Sequence, residues 1–177
     1  MLFLFDESCN HNDRDRQGNA AMADTVDKAT RSRMMAGIRG KDTKPEKAIR
    51  SALHSAGFRY RIHAAGLPGK PDIVLPKYKA VIFVHGCFWH RHLDCWWSTT
   101  PSSNAAFWVK KFALNAARDN RNVLDLKNLG WRVAIVWECT LRIQTQTEAV
   151  AAIAKWLTSS RQNLILPKRA KLRRSPT

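Results

Sequence analysis

The spacing of hydrophobic and polar residues predicts two helices near the start of the chain. Apolar positions repeat at helical intervals over residues 24–39, which favours an amphipathic helix. A second helix is expected from Thr43, because Thr43-Lys44-Pro45-Glu46 has the form of a capping box with proline in the first turn. Glycine commonly ends a helix, so this one should stop just before Gly57.

Strands and two more helices are expected in the rest of the body. Period-two alternation or a continuous apolar run marks four strand segments, namely 58–62, 72–75, 80–86 and 131–137. The second and third of these should form a hairpin, and the last should be a central buried strand. Helical patterns cover 104–129 and 147–157. This order predicts an α/β fold in which a mixed central β-sheet is flanked by helices.

Both ends of the chain lack such periodicity. Residues 1–22 are polar after five apolar residues, which indicates a disordered extension, or sequence upstream of a true start at Met22. Residues 161–177 contain six Lys or Arg, two Pro and no acid, which indicates a disordered basic tail. We therefore expect one folded domain over residues 23–160.

The charge balance points to a polyanionic partner. The 177 residues carry 30 Lys and Arg against 14 Asp and Glu, a formal net charge of +16. Nucleic acid is the first expectation and an anionic membrane surface the second. No apolar run reaches the roughly 18–20 residues of a membrane span. Four cysteines are too few for a disulfide scaffold, which favours a reducing compartment and a metal site where Cys and His cluster.

One group of Cys and His residues suits zinc. Cys87, His92 and Cys95 fall within nine residues, and Cys139 lies just beyond the predicted central strand. Three thiolates and one imidazole are ligands that tetrahedral zinc prefers, and an irregular loop of this length gains stability from a metal. His90 is an equally good fourth ligand by spacing. The alternative is a set of buried free cysteines beside exposed histidines.

A second group suits metal-assisted hydrolysis of a phosphodiester. The expected hairpin places Asp72 near the end of the next strand, where His85 and His90 follow. Glu46 and Asp119 each fall on the apolar stripe of a predicted helix, and a carboxylate buried there needs a partner such as an imidazolium or a metal. Each residue also has a purely structural explanation: a turn for Asp72, a helix cap for Glu46, an internal arginine for Asp119 and core packing for His85.

Longer motifs carry a family resemblance. The stretches DKATRS (27–32), LPGKPD (67–72), VHGCFWHRHLDC (84–95) and GWRV followed by WEC (130–139) closely resemble the very short patch repair (Vsr) DNA mismatch endonucleases. The likeness runs from about Met22 to Arg142 without large gaps. It implies a restriction-endonuclease-like fold. It also implies an enzyme that recognises the T:G mismatch left by deamination of 5-methylcytosine and nicks the strand 5′ to the mispaired thymine.

The resemblance assigns roles to the candidate residues. The implied active-site side chains are Asp72, His90, Glu46, His85 and Asp119. Asp72 and the main-chain carbonyl of Val84 would bind catalytic Mg²⁺, and Asp119 would orient His90. The implied ligands of a structural Zn²⁺ are Cys87, His92, Cys95 and Cys139, which leaves His90 free for chemistry. The Asp/Glu-x-Lys half of the usual restriction-endonuclease motif is absent after Asp72, as it is in the family.

The resemblance also implies how DNA is held. Flat side chains beside a wobble pair can detect its altered stacking, and the implied intercalating residues are Phe88, Trp89 and Trp108. The residues implied at the opposite groove are Met35 and Ile38 of the first helix, and those implied at phosphates are Lys28, Arg31 and Arg33. For all the apolar members of this set, ordinary packing is the alternative.

The family likeness adds partners and leaves two competing functions. It implies a MutL-type repair protein and a cytosine-5 DNA methyltransferase as functional partners, in the nucleoid-containing cytoplasm of a bacterium. One asymmetric nick requires only a monomer. A restriction-type nuclease that cuts matched duplex is the first alternative. A zinc-stabilised DNA-binding protein without catalysis is the second, although the inward-facing Glu46 and Asp119 would then have no task.

Overall fold

The computed structural model describes residues 40–167, together with Asp27, Ala29, Thr30, Arg33 and Gly37. The chain divides into two compact units, Met1–Ile38 and Arg39–Thr177, so a boundary falls inside the domain expected over 23–160. In the first unit, the Asp27 carboxylate accepts hydrogen bonds of 2.8 Å from the amide and the hydroxyl of Thr30. The extension predicted over 1–22 lies outside the described residues, as does most of the helix predicted over 24–39.

A four-stranded mixed sheet forms the centre of the second unit. Its strands are β1 (Ile73–Leu75), β2 (Ala80–His85), β3 (Arg132–Trp137) and β4 (Asn163–Leu166), and they lie in that order across the sheet. β1 and β2 form the predicted antiparallel hairpin, whereas β2, β3 and β4 are parallel to one another. The predicted α/β class with a mixed central sheet is therefore confirmed.

Helices cover both faces of this sheet. They are α1 (Lys44–Ser55), α2 (Ala105–Asn128), the short α3 (Thr140–Ile143) and α4 (Gln146–Leu157). α1 and α4 bury Leu53 and Trp156 against one face, and α2 buries Leu126 against the other. None of the helices among the described residues is both long and apolar enough to cross a lipid bilayer.

The strand predicted over 58–62 does not form. Within it, Arg61 alone pairs with the sheet: its amide donates to the carbonyl of Val74 (2.8 Å) and its carbonyl accepts from the Val74 amide (2.9 Å). Phe58 and Tyr60 instead pack on the main core. The alternation in this segment therefore reflects two aromatic rings that cover the core, and the prediction of a strand was wrong.

The basic tail predicted over 161–177 begins with a strand. In β4, Leu164 and Leu166 are buried while Asn163 and Ile165 are exposed, which is the alternation of a strand with one buried face. β4 pairs with β3 and satisfies backbone groups that would otherwise form an open sheet edge. The prediction of a disordered tail was wrong for residues 161–167, because the basic composition of the segment concealed a four-residue pattern. Residues 168–177 lie outside the described part of the chain.

Candidate active site and metal centre

The parallel pairing of β2 and β3 brings distant residues to one end of the sheet. His85 is the register partner of Trp137, and the Glu138 amide continues the ladder by donating to the His85 carbonyl (2.9 Å). Cys87 and Cys139 each lie two residues beyond this pair. Two residues that are 52 positions apart in the chain, 139 against 87, thus meet because their strands end together.

The four cysteine and histidine candidates converge at this end. The thiol cluster consists of Cys87, His92, Cys95 and Cys139, all buried, and their ligand atoms lie within 4.8 Å of one another. His92 Nδ1 is 3.3 Å from Cys139 Sγ and 3.6 Å from Cys87 Sγ. A zinc tetrahedron with Zn–S bonds of about 2.3 Å has edges of about 3.8 Å, so this donor set fits zinc. His92, rather than His90, lies beside the thiols.

Electrostatics and packing both favour a cation in the thiol cluster. Hydrogen bonds from the Cys139 thiol and from His92 lower the pKa of Cys87 to about 4, although burial opposes this shift. The same contact with Cys87, together with burial, raises the pKa of Cys139. The His92 ring stacks on Trp137 with centroids 4.2 Å apart and planes 7° apart, which holds Nδ1 towards the sulfurs. A bound metal would relieve the repulsion among the thiolates.

The five active-site candidates form a second cluster at the same end of β2. This carboxylate–histidine cluster consists of Glu46, Asp72, His85, His90 and Asp119. In it, His90 Nδ1 lies 2.5 Å from Asp119 Oδ2, a hydrogen bond between the loop after β2 and the middle of α2. The rings of His85 and His90 stack with centroids 3.9 Å apart and planes 6° apart. The hydrogen bond and the stack together hold the His90 ring in one orientation.

Asp72 immediately precedes β1 and is tied to β2. Its Oδ2 accepts a hydrogen bond of 2.7 Å from the Val84 amide, as the register of the hairpin requires. Burial raises the pKa of Asp72 to about 6, and the charge of Glu46 adds to this rise, while the Val84 hydrogen bond opposes it. The Val84 bond engages one carboxylate oxygen, so the other can bind a cation. A hard divalent cation suits an oxygen ligand of this kind.

Glu46 is buried on α1 and has a different partner from the one expected. Its carboxylate accepts hydrogen bonds from the Thr43 hydroxyl (2.7 Å), the Asp42 amide (2.9 Å) and Arg50 Nη2 (2.9 Å). The reciprocal bond of a full capping box would come from the Thr43 amide, so the motif is only partly formed. Sequence reasoning missed Arg50, although Glu and Arg four residues apart on a helix are a recognised pair.

The ionisation of Asp119 and His85 suits proton transfer by His90. Burial alone would raise the pKa of Asp119, but the hydrogen bond and charge of His90 outweigh it, so the pKa lies below its ordinary value. Burial lowers the pKa of His85 to about 3, and that ring is neutral near pH 7. An ionised Asp119 that accepts from Nδ1 leaves the Nε2 lone pair of His90 available as a base.

The predicted intercalating residues form an aromatic cluster beside His90. Phe88 makes edge-to-face contacts with Trp89 (5.0 Å) and Trp108 (5.3 Å), and all three side chains are partly buried. Asn115 on α2 donates to the Trp89 carbonyl (3.0 Å), which anchors the backbone just before His90. The other predicted DNA contacts, Met35, Ile38, Lys28 and Arg31, lie outside the described residues. Arg33 is described and donates to the Thr30 hydroxyl at 3.1 Å.

Comparison with known proteins decides the family. The family model described as "DNA mismatch endonuclease Vsr" matches residues 23–96. The "DNA mismatch endonuclease Vsr" of Escherichia coli (strain K12) is 49% identical over 121 residues, which cover 68% of this chain and 77% of that protein. The chain belongs to the Vsr endonuclease family. The resemblance inferred from the sequence motifs is thereby confirmed, and the protein is an endonuclease that acts on the phosphodiester bonds of DNA.

Other relatives have related names. "Type II nicking enzyme V.XorIIP" of Xanthomonas oryzae pv. oryzae is 48% identical over 68% of this chain and 88% of that protein. "Type II nicking enzyme V.NaeI" of Lentzea aerocolonigenes is 40% identical over 73% and 77%. Among solved structures, the "Homing Endonuclease I-Bth0305I Catalytic Domain" aligns with a TM-score of 0.44 and 19% identity, over 67% of this chain and 100% of that one. Membership in the Vsr family excludes the alternative of a DNA-binding protein without catalysis.

Proposed function

We propose that this Vsr-family enzyme nicks one strand of duplex DNA 5′ to the thymine of a T:G mismatch, the lesion that deamination of 5-methylcytosine produces. The observation that carries the proposal is the His90–Asp119 hydrogen bond of 2.5 Å at a strand end where the charge of His90 also acts on Asp72. A base and a cation-binding carboxylate side by side are what hydrolysis of a phosphodiester requires. The formal charge of +16 favours a DNA substrate.

The proposed chemistry divides between Asp72 and His90. Asp72, with the Val84 carbonyl, would hold Mg²⁺, which when bound supplies positive charge to the phosphate that is attacked. His90 takes a proton from the attacking water at Nε2, and Asp119 holds the Nδ1 proton and so fixes the tautomer. The neutral His85 ring supports His90 by stacking, and Glu46 lies close enough to Asp72 to raise its pKa.

We propose that the thiol cluster holds a structural Zn²⁺. Its four donors are buried and share the loop that carries Phe88, Trp89 and His90. This loop is irregular, so a metal would fix its shape and thereby the position of the base. The zinc would take no direct part in the reaction.

We propose that the aromatic cluster detects the mismatch. Phe88, Trp89 and Trp108 are only partly buried, so flat surface remains available to stack against or between bases. Lys28, Arg31 and Arg33 would contact phosphates, and Met35 and Ile38 the opposite groove. These contacts are expected to be sensitive to salt at the phosphates but not at the stacked bases.

The biological setting follows from the same proposal. A T:G lesion that begins with 5-methylcytosine implies a cytosine-5 DNA methyltransferase in the same cell, and a nick implies later repair steps in which a MutL-type protein could take part. We place this activity in the bacterial cytoplasm with the nucleoid. A monomer suffices for a single nick.

A nicking assay on labelled duplexes tests the proposal. Each duplex carries T:G or T:A at one position, in varied flanking sequences, with 5′ labels of different colour on the two strands. With Mg²⁺, the wild type should nick only the thymine strand, only at T:G and only on the 5′ side. EDTA should abolish the nick. Asp72→Asn, which keeps the size of the side chain, should lower the nicking rate about 1,000-fold or more while the zinc content is unchanged.

Two results would contradict the proposal. Equal nicking of T:A and T:G duplexes would favour the restriction-type alternative that cuts matched DNA. Nicking by a folded, zinc-loaded Asp72→Asn variant at the wild-type rate would remove Asp72 from the metal site.

A further inference from the structure

Arg50 is a buried arginine that none of the roles above uses. It lies on α1 one turn after Glu46, and it is only 7% exposed. Its Nη1 lies 2.5 Å from Asp42 Oδ1, and its Nη2 donates to Glu46 Oε2 (2.9 Å) and to the main-chain carbonyl of Asp72 (3.1 Å). Its guanidinium therefore contacts two residues of the carboxylate–histidine cluster directly.

The contacts of Nη2 link two elements that meet nowhere else in this network. One nitrogen bonds both the Glu46 carboxylate on α1 and the Asp72 carbonyl at the start of β1, so it sets the separation between the two residues. The Asp72 side chain is fixed from the other side by the Val84 amide. Asp42 holds the second arm of the guanidinium and so fixes the plane of the fork.

Stability alone gives a poor account of this arginine. Its Nε, which is buried, has no hydrogen-bond partner among the described residues, and burial of an unpaired donor is costly. Buried ion pairs are often no more stabilising than apolar residues of similar volume. The neighbouring positions Ile49 and Leu53 are fully buried apolar residues, so an apolar side chain would suit this face of α1.

We propose that Arg50 is a positioning residue that sets the distance and orientation of Glu46 relative to Asp72 for a divalent cation. The inference rests on the proposed function, which places that cation at Asp72. Partners that orient metal-binding groups in this way typically alter metal affinity or activity about 10–100-fold when they are removed. Because Arg50 lies on the inner side of α1, it should affect the metal and not the binding of DNA.

The test compares Arg50→Lys with Arg132→Lys. Lysine keeps the charge but has a single nitrogen, so it cannot reproduce the fork. Arg132 is the matched control, because it too donates to several carbonyls, those of Trp156, Leu157 and Arg161, far from the site in the chain. The readouts are Mn²⁺ binding to the zinc-loaded protein by calorimetry, the Mg²⁺ concentration for half-maximal nicking, the KM for DNA and the thermal midpoint.

Arg50→Lys should weaken Mn²⁺ binding and raise the half-saturating Mg²⁺ concentration about tenfold or more, with the KM for DNA unchanged. Arg132→Lys should lower the thermal midpoint and leave both metal measurements at wild-type values. Asp42→Asn removes a partly exposed anchor of the guanidinium, so it should shift the metal measurements in the same direction by a smaller factor. This variant decides the matter if Arg50→Lys does not fold.

The inference is overturned if Arg50→Lys is folded and binds both metals within about twofold of wild type, or if Asp42→Asn does so when Arg50→Lys cannot be studied. A wild type that binds Mn²⁺ but does not nick a T:G duplex contradicts the proposed function alone. A wild type that binds no Mn²⁺ overturns both.

Discussion

The thiol cluster and the carboxylate–histidine cluster both begin at the end of β2, yet they are built in opposite ways. The thiol cluster takes three of its four members from one loop of nine residues, 87–95, and the fourth from the end of the adjacent parallel strand. The carboxylate–histidine cluster collects its members from α1, the start of β1, the end of β2 and the middle of α2. One cluster depends on a local loop and the other on the whole fold.

The two clusters also differ in exposure and charge. All members of the thiol cluster are buried, whereas His90 and Asp119 keep 23% and 17% of their side-chain surface. Soft donors that are closed off from solvent suit a structural metal, and oxygen and nitrogen donors open to solvent suit chemistry on a large substrate. The difference predicts that damage to one cluster costs stability first and damage to the other costs activity first.

Loss of the thiol cluster should have the larger effect. Cys139→Ser removes a donor from β3's end, and we expect it to release zinc and to lower the free energy of unfolding by more than about 4 kcal/mol, as loss of a structural metal commonly does. Nicking should fall as well, because the same loop carries His90. Zinc content by atomic emission, thermal unfolding and nicking rate measure the three effects.

The control for this variant is Cys9→Ser, which changes a cysteine outside the cluster. It should leave zinc content, unfolding and nicking as they are in the wild type. Full zinc content in Cys139→Ser, with an unchanged thermal midpoint, would show that the cluster is only a group of free cysteines.

The two clusters were predictable from sequence to different degrees. The donors of the thiol cluster were recognisable by residue type and spacing, but His90 and His92 were equivalent until the family likeness separated them. In the structure, the loop after Cys87 turns His92 towards the sulfurs and His90 towards α2. That choice depends on local backbone geometry, which spacing does not contain.

Pairing across the fold was the harder part. Glu46 and Asp119 were recognised as inward-facing acids from helical periodicity, and Asp119 does bond to an imidazole. The partner of Glu46 is Arg50, which the i, i+4 spacing could have suggested. β4 was missed because its two buried leucines, Leu164 and Leu166, stand in a segment whose basic composition dominates, and only the open edge of β3 makes them a strand.

A variant of Asp119 should affect activity without affecting the metal. Asp119→Asn keeps a side chain that can still hydrogen bond but removes the charge that stabilises His90 as it gains a proton, so kcat should fall about 100-fold or more. Zinc content should match that of the wild type. Single-turnover nicking of a T:G duplex, together with zinc analysis, measures both.

Asp125→Asn is the matched control on the same helix, less than two turns further along α2 and outside the cluster. It should nick at close to the wild-type rate. If Asp119→Asn and Asp125→Asn had equal kcat, the bond between His90 and Asp119 would be structural, and the contrast between the clusters would lose its chemical half.

The smallest expected effect separates helix stability from site geometry with two threonines. Thr43 and Thr145 are both N-cap residues whose hydroxyls accept from the amide of a glutamate three residues later, on α1 and α4 respectively. Replacement of either by Ala should cost about 1 kcal/mol of stability. Only Thr43 also donates to the buried Glu46 beside Asp72, so Thr43→Ala should in addition lower kcat by about tenfold or less, the worth of one hydrogen bond to a charged group. Urea unfolding and nicking kinetics on both variants test this, and an equal kcat for the two would mean that Glu46 needs no alignment by Thr43, leaving Arg50 and the Asp42 amide to hold it.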